Sequence, residues 1–142
     1  MLDAGKFMSD GKKLVLAVDD DEDICDYYQQ SLTQMGYRVV TASSGREAKN
    51  LLAQELPDVI LMDIMIPDID GISLTREIHS AVATAGIPIL AVSALTDAAT
   101  LNDALLFGAM DYIAKPVDAE TLKLKISGAI ALAEKRRNRA TT

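Results

Sequence analysis

Val59-Ile60-Leu61-Met62-Asp63-Ile64-Met65-Ile66-Pro67-Asp68-Ile69-Asp70-Gly71 is the stretch whose reading decides the fold. Its opening apolar run is short and bounded by turn residues. That suits a strand buried on both faces, as in a parallel sheet covered by helices. A carboxylate, Asp63, stands at the exit of the run, where burying a charge is costly unless something uses it. Three other apolar runs end alike: Leu14-Val15-Leu16-Ala17-Val18 meets Asp19-Asp20, Ile87-Pro88-Ile89-Leu90-Ala91-Val92 meets Ser93, and Tyr112-Ile113-Ala114 meets Lys115-Pro116. In an open parallel sheet the carboxyl ends of the strands share one edge, and ligands bind there. Carboxylates, a hydroxyl and an amine therefore converge on a site that only folding can assemble.

Outward from this stretch, apolar strands alternate with helical periodicity five times, the pattern of a doubly wound α/β sheet. Strands are expected near 14–18, 38–41, 58–62, 87–92 and 110–114, and helices near 22–35, 46–55, 72–80, 97–107 and 118–136. Ile24, Tyr28, Leu32 and Met35 recur at helical spacing, and Gly36 ends that helix as a left-handed cap would. Ser44 and Asp118 are expected N-caps. Right-handed crossovers place helices on both sheet faces. Residues 1–12, polar and punctuated by glycine, read as a disordered leader or tail, with Met8 as an alternative start; 13–136 form one domain, and 137–142 a frayed end or linker stub. The basic run Lys135-Arg136-Arg137-Asn138-Arg139 suits a helix C-terminus.

Composition narrows the functions available. The 142 residues are 49% hydrophobic and 25% charged, which describes a globular chain rather than a disordered one. A net charge of −7 argues against direct nucleic-acid binding by this domain. The longest apolar runs fall far short of a membrane span, and residues 1–13 lack the apolar core of a signal peptide. The lone Cys25 has no internal disulfide partner, which fits a reducing cytoplasm; packing or surface placement accounts for it.

Converging without a cation, Asp19, Asp20 and Asp63 would repel one another and raise at least one pKa. Lys115 offers one remedy and a divalent metal another. An all-oxygen donor set without Cys or His points to Mg2+ or Mn2+ rather than zinc. Ser93 and Lys115 are natural holders for phosphate oxygens. A carboxylate beside a metal and an ammonium can attack phosphorus and form an acyl phosphate.

From about Lys13 to about Lys135 the chain resembles the receiver domain of two-component response regulators. The resemblance rests on Val18-Asp19-Asp20, Asp63 with Pro67 and Asp70-Gly71, Ser93-Ala94, and Tyr112-Ile113-Ala114-Lys115-Pro116. It implies a flavodoxin-like sheet of strand order 2-1-3-4-5 and a phosphoryl group accepted by Asp63 from a histidine kinase or histidine phosphotransfer protein. It further implies that Asp20, Asp63 and the backbone carbonyl of Met65 ligate the metal while Asp19 acts mainly through water. Ser93 and Lys115 would grip the phosphoryl oxygens, Tyr112 would be the switch aromatic, and the bond before Pro116 would be cis. Met65 and Leu95 occupy the two positions that in the family influence dephosphorylation. Ser93 stands where threonine is commoner, and Ile66 where methionine or leucine usually precedes the proline.

Two enzymatic or cofactor readings compete. A phosphatase of the haloacid dehalogenase class also uses an aspartyl nucleophile and Mg2+, but it needs an acid two positions later, where Met65 stands. A flavodoxin would carry a Ser/Thr-rich phosphate loop after the first strand, and this chain has acids there. The preferred reading is a phosphorylatable switch rather than an enzyme, with at most slow self-dephosphorylation.

The remaining polar residues have plainer accounts. His79 reads as a surface residue, Tyr27 and Tyr28 as helix packing, Asp68 and Asp70 as turn acids, and Asp21, Glu22 and Asp23 as acids favoured at a helix start. Leu105, Leu106, Phe107, Met110 and Leu124 make a stretch too apolar to face wholly inward, although Phe107 is a candidate for the core. The face of the fourth helix, fifth strand and fifth helix is accordingly expected to bind a downstream effector or a second copy.

Overall fold

The structure, a computed structural model, describes residues 11–94 and 98–141. Strands β1 (Leu14–Val18), β2 (Arg38–Ala42), β3 (Val59–Asp63), β4 (Ile89–Ser93) and β5 (Asp111–Ala114) alternate with helices α1 (Glu22–Gln34), α2 (Gly45–Gln54), α3 (Gly71–Ser80), α4 (Ala98–Leu106) and α5 (Ala119–Thr141). The sheet runs β2-β1-β3-β4-β5, and every neighbouring pair is parallel. This is the expected doubly wound, flavodoxin-like arrangement with five strands and five helices.

The strands β1, β3 and β4 are buried at every residue, as their continuous apolar runs require when helices cover both faces. Alternation divides their side chains between two cores. Val15, Ala17, Val59, Leu61, Leu90, Val92 and Ile113 face α1 and α5, where Tyr28, Leu32, Leu122 and Ile126 meet them. Leu16, Val18, Ile60, Met62 and Ile89 face α2 and α3, meeting Ala48, Leu74 and Ile78.

Local chemistry fixes the helix ends. Asp21 caps α1 by accepting from the Asp23 amide at 2.9 Å, and Gly36 at φ 96° reverses the chain after it. Ser44 and Asp118 cap α2 and α5 as expected, accepting from Glu47 N at 3.1 Å and Thr121 N at 2.7 Å. Boundaries differ by more than one residue in two places. Regular β4 begins at Ile89 rather than 87, because Pro88 has no N–H for the ladder. Helix α5 continues to Thr141, past its expected end at 136 and through the segment expected to fray. The charged run there contains no glycine or proline to stop it, and arginine is a good helix former.

Register sets the row of functional groups. Val18 pairs with Met62, Asp63 with Val92, and Ser93 with Ala114. The residues that end β3 and β4, and those that follow β1 and β5, therefore reach the same edge of the sheet.

Candidate functional site

At this edge the carboxylate oxygens of Asp19, Asp20 and Asp63 lie within 4.8 Å of one another. Three carboxylate oxygens gathered this closely are a donor set suited to a hard divalent cation. Asp19 and Asp63 are buried and Asp20 is exposed. The site is thus closed below and open to solvent above.

Each buried acid is held by the backbone two residues later. Asp19 Oδ1 accepts from Asp21 N at 2.9 Å, and Asp63 Oδ1 accepts from Met65 N at 3.0 Å. These local bonds leave the Oδ2 atoms facing Lys115. Its Nζ donates to Asp63 Oδ2 at 3.3 Å and stands 3.0 Å from Asp19 Oδ2. The latter is a charge contact outside hydrogen-bond alignment, and Asp19 Oδ2 has no hydrogen-bond donor of its own. A buried, underdonated carboxylate oxygen within an all-oxygen cluster fits a hard divalent cation. The described residues therefore suit the metal that the sequence called for.

Electrostatics follow from burial. Asp63 is pushed above the ordinary carboxyl value, first by desolvation; the Met65 amide opposes this, Asp19 adds to it, and Lys115 opposes it again. For Lys115 desolvation alone would lower the ammonium, but Asp19 and Asp63 more than offset it and the net direction is up. The cluster is consequently one cation set against several anions, with the phosphoacceptor candidate carrying part of the mismatch.

Ser93 is buried at the end of β4, and the Lys115 amide donates to its carbonyl at 2.8 Å. The Lys115–Pro116 bond is cis. Tyr112 is 39% exposed, with the Lys125 ammonium 5.7 Å from its ring centroid. Met65 is 66% exposed, and Leu95 lies outside the described residues. His79 is exposed, as expected of a surface residue. Cys25 donates through Sγ to the Asp19 carbonyl at 3.2 Å, and burial followed by Asp19 pushes its thiol up to about 11, which leaves it protonated. Phe107 is 37% exposed beneath the Arg76 guanidinium, 5.8 Å away, so it lies at the surface rather than in the core.

Two supporting residues were not legible as such. Gly71 lies so close to the site that a Cβ there would fall 2.4 Å from the Asp63 carbonyl oxygen and 2.6 Å from Ile64 Cα. In sequence this glycine is indistinguishable from an ordinary turn glycine. Asp68, read as a turn acid, instead accepts from Gly45 N at 2.8 Å and Arg46 N at 3.0 Å, so the loop after β3 caps α2. That partner is remote in sequence and no local pattern announces it. Asp70 keeps the expected local role, accepting from Ile72 N at 3.0 Å.

Comparison with known proteins places this geometry. Residues 15–127 match the response regulator receiver domain. The chain is 42% identical over 115 residues to a probable transcriptional regulator, ycf27, of Guillardia theta, covering 81% of this chain and 44% of that protein. It is 36% identical to the transcriptional regulatory protein AfsQ1 of Streptomyces coelicolor, covering 85% of this chain and 52% of that protein. The chain thus spans about half the length of these curated relatives. A CheY-like receiver domain protein from Methanospirillum hungatei superposes with a TM-score of 0.83 at 31% identity, covering 89% of this chain and 99% of that one. Fold, strand-end cluster and sequence agree, and the chain belongs to the receiver domain family of response regulators.

Proposed function

We propose that Asp63 is the phosphoacceptor of this receiver domain. The observation that carries the reading is the state of its carboxylate: buried, anchored through Oδ1 by the Met65 amide, and turned through Oδ2 toward Lys115 and the other acids. One Asp63 oxygen attacks phosphorus of a phosphohistidine on a histidine kinase or phosphotransfer protein. The new P–O bond forms as the P–N bond breaks, and the departing imidazole takes a proton. Asp20, Asp63 and the Met65 carbonyl would hold Mg2+ or Mn2+, with Asp19 acting mainly through water. A bound metal supplies positive charge against the phosphoryl oxygens. Lys115 and the Ser93 hydroxyl grip the remaining oxygens. Tyr112 turns inward as Ser93 moves, and the face formed by α4, β5 and α5 changes its affinity for an effector or a second copy.

This reading makes the protein a switch with at most slow self-dephosphorylation. The similarity to transcriptional regulators supports an output through a downstream effector. Among the described residues no helix is long and apolar enough to cross a membrane. Acetyl phosphate with Mg2+ should add one phosphoryl group, labile to hydroxylamine, to wild-type protein. Asp63→Asn or EDTA should each prevent it. Label on His79 or Ser93 would overturn the assignment.

A further inference from the structure

The edge of the sheet opposite Asp63 carries a hollow that phosphorylation chemistry does not use. The turns into β4 and β5 line it through Pro88 and Met110, and the C-terminal parts of α3, α4 and α5 complete it. Its volume is about 510 Å³. That lies within the range of about 300–1,000 Å³ usual for small-molecule sites, which are mostly apolar with a few polar groups that orient the ligand. Leu106 of α4, 77% exposed, is part of the apolar lining.

The charge of this hollow runs against that of the molecule. The chain carries a net charge of −7, yet no carboxylate lines the hollow, whereas Arg136, Arg137 and His79 do. Lys13, Arg38, Lys49, Lys115 and Lys125 each form an ion pair with an acid. Among the described residues Arg136 and Arg137 have no such partner, and Glu134, the acid nearest them in sequence, is taken by Lys13 at 3.5 Å. Basic residues in the last turn of a helix answer its dipole, and Arg139 fills that place in α5; Arg136 and Arg137 lie a turn earlier. His79 is exposed but packed against the turn between α4 and β5. Gly108 in that turn, at φ 127°, comes so close that a Cβ would fall 2.6 Å from His79 Cγ.

We propose that this hollow is a binding site for a small organic oxyanion, a carboxylate or phosphate carried on an apolar body. Guanidinium groups match both oxyanions with forked hydrogen bonds, and two of them without a carboxylate partner supply the complementary charge. Leu106, Pro88 and Met110 offer apolar surface for the rest of the ligand. A neutral ligand would leave both cations unanswered, and a cationic one would be repelled.

The test is a titration of the whole chain followed by amide NMR in metal-free Tris buffer, so that no divalent ion draws phosphate to Asp63. The probes are phenyl phosphate, phenylacetate and, as the neutral control, benzyl alcohol. At least one anion should cause saturable shifts at Gly86, Gly108 and Ala109, with a Kd on the order of 1 mM for ligands this small. Binding of only one of the two anions would identify the headgroup. Arg136→Gln with Arg137→Gln, both exposed positions, should weaken the binding about tenfold or more. Lys135→Gln with Arg139→Gln removes the same charge from residues outside the hollow and should leave it unchanged. Absence of saturable shifts at those amides with both anions would overturn the proposal. So would equal shifts with benzyl alcohol, or equal weakening in the two double variants.

Discussion

At the scale of single residues, the folded protein binds the Asp63 proton more tightly than the unfolded chain does, because burial first, and Asp19 with it, holds the carboxyl above 3.8. Ionised Asp63 therefore costs stability above its raised pKa, and the cost fades as the pH falls through that value toward 3.8. Metal-free wild type should gain stability on acidification across that window. Asp63→Asn should lack the gain and melt higher than wild type at neutral pH, by on the order of 3 °C. Below the window the direction reverses. The Asp68 and Asp118 carboxyls are held under the ordinary value, mainly by the amides of Gly45 and Thr121 respectively, so their contribution is lost as the pH falls through their folded pKa values. Mg2+ should raise the wild-type melting temperature by mass action and lose most of that effect in the Asn variant. Calorimetric melts at several pH values check all of this, and an Asn variant less stable than wild type in EDTA would contradict it.

At the scale of elements, the turn after β3 does more than reverse the chain. Gly71 allows α3 to start against the Asp63–Ile64 backbone, where a side chain would meet carbonyl oxygen and Cα rather than flexible atoms. Gly71→Ala should lose about 2 kcal/mol in urea unfolding and slow phosphorylation by displacing Asp63. Gly86→Ala, with open space around its Cβ position, is the control and should do neither. The sequence disclosed the elements and their order, because uninterrupted apolar runs such as Val59–Met62 and turn residues such as Gly36 are local signals. It disclosed the polar groups at the strand ends for the same reason. It did not disclose what depends on partners far along the chain. Asp68 looked like a turn acid because the amides that it caps lie on α2, whereas Tyr28, read as helix packing, is indeed buried in the core. The extension of α5 was missed because a charged tail resembles a frayed end until its neighbours are known to be helical.

At the scale of the whole molecule, the site and the exposed apolar face meet through β5. Lys115 follows that strand on the site edge, while Tyr112 within it is 39% exposed; Leu124 of α5 is 62% exposed and Leu106 of α4 is 77% exposed. Met110, Leu124 and Leu132 line a shallow groove between β5 and α5. An apolar patch joined to the strand that leads to Lys115 is where the proposed phosphorylation of Asp63 would alter partner affinity. Hydrogen exchange before and after acetyl phosphate treatment should therefore change on α4, β5 and α5. Change confined to α2 and α3 would contradict that route. The account as a whole depends on which carboxylate carries the phosphoryl group. Borohydride reduces an aspartyl phosphate to homoserine, and peptide mass mapping then reads its position. After acetyl phosphate and Mg2+ treatment, homoserine should appear at position 63 alone; homoserine at position 19 or 20, with 63 unmodified, would contradict the account.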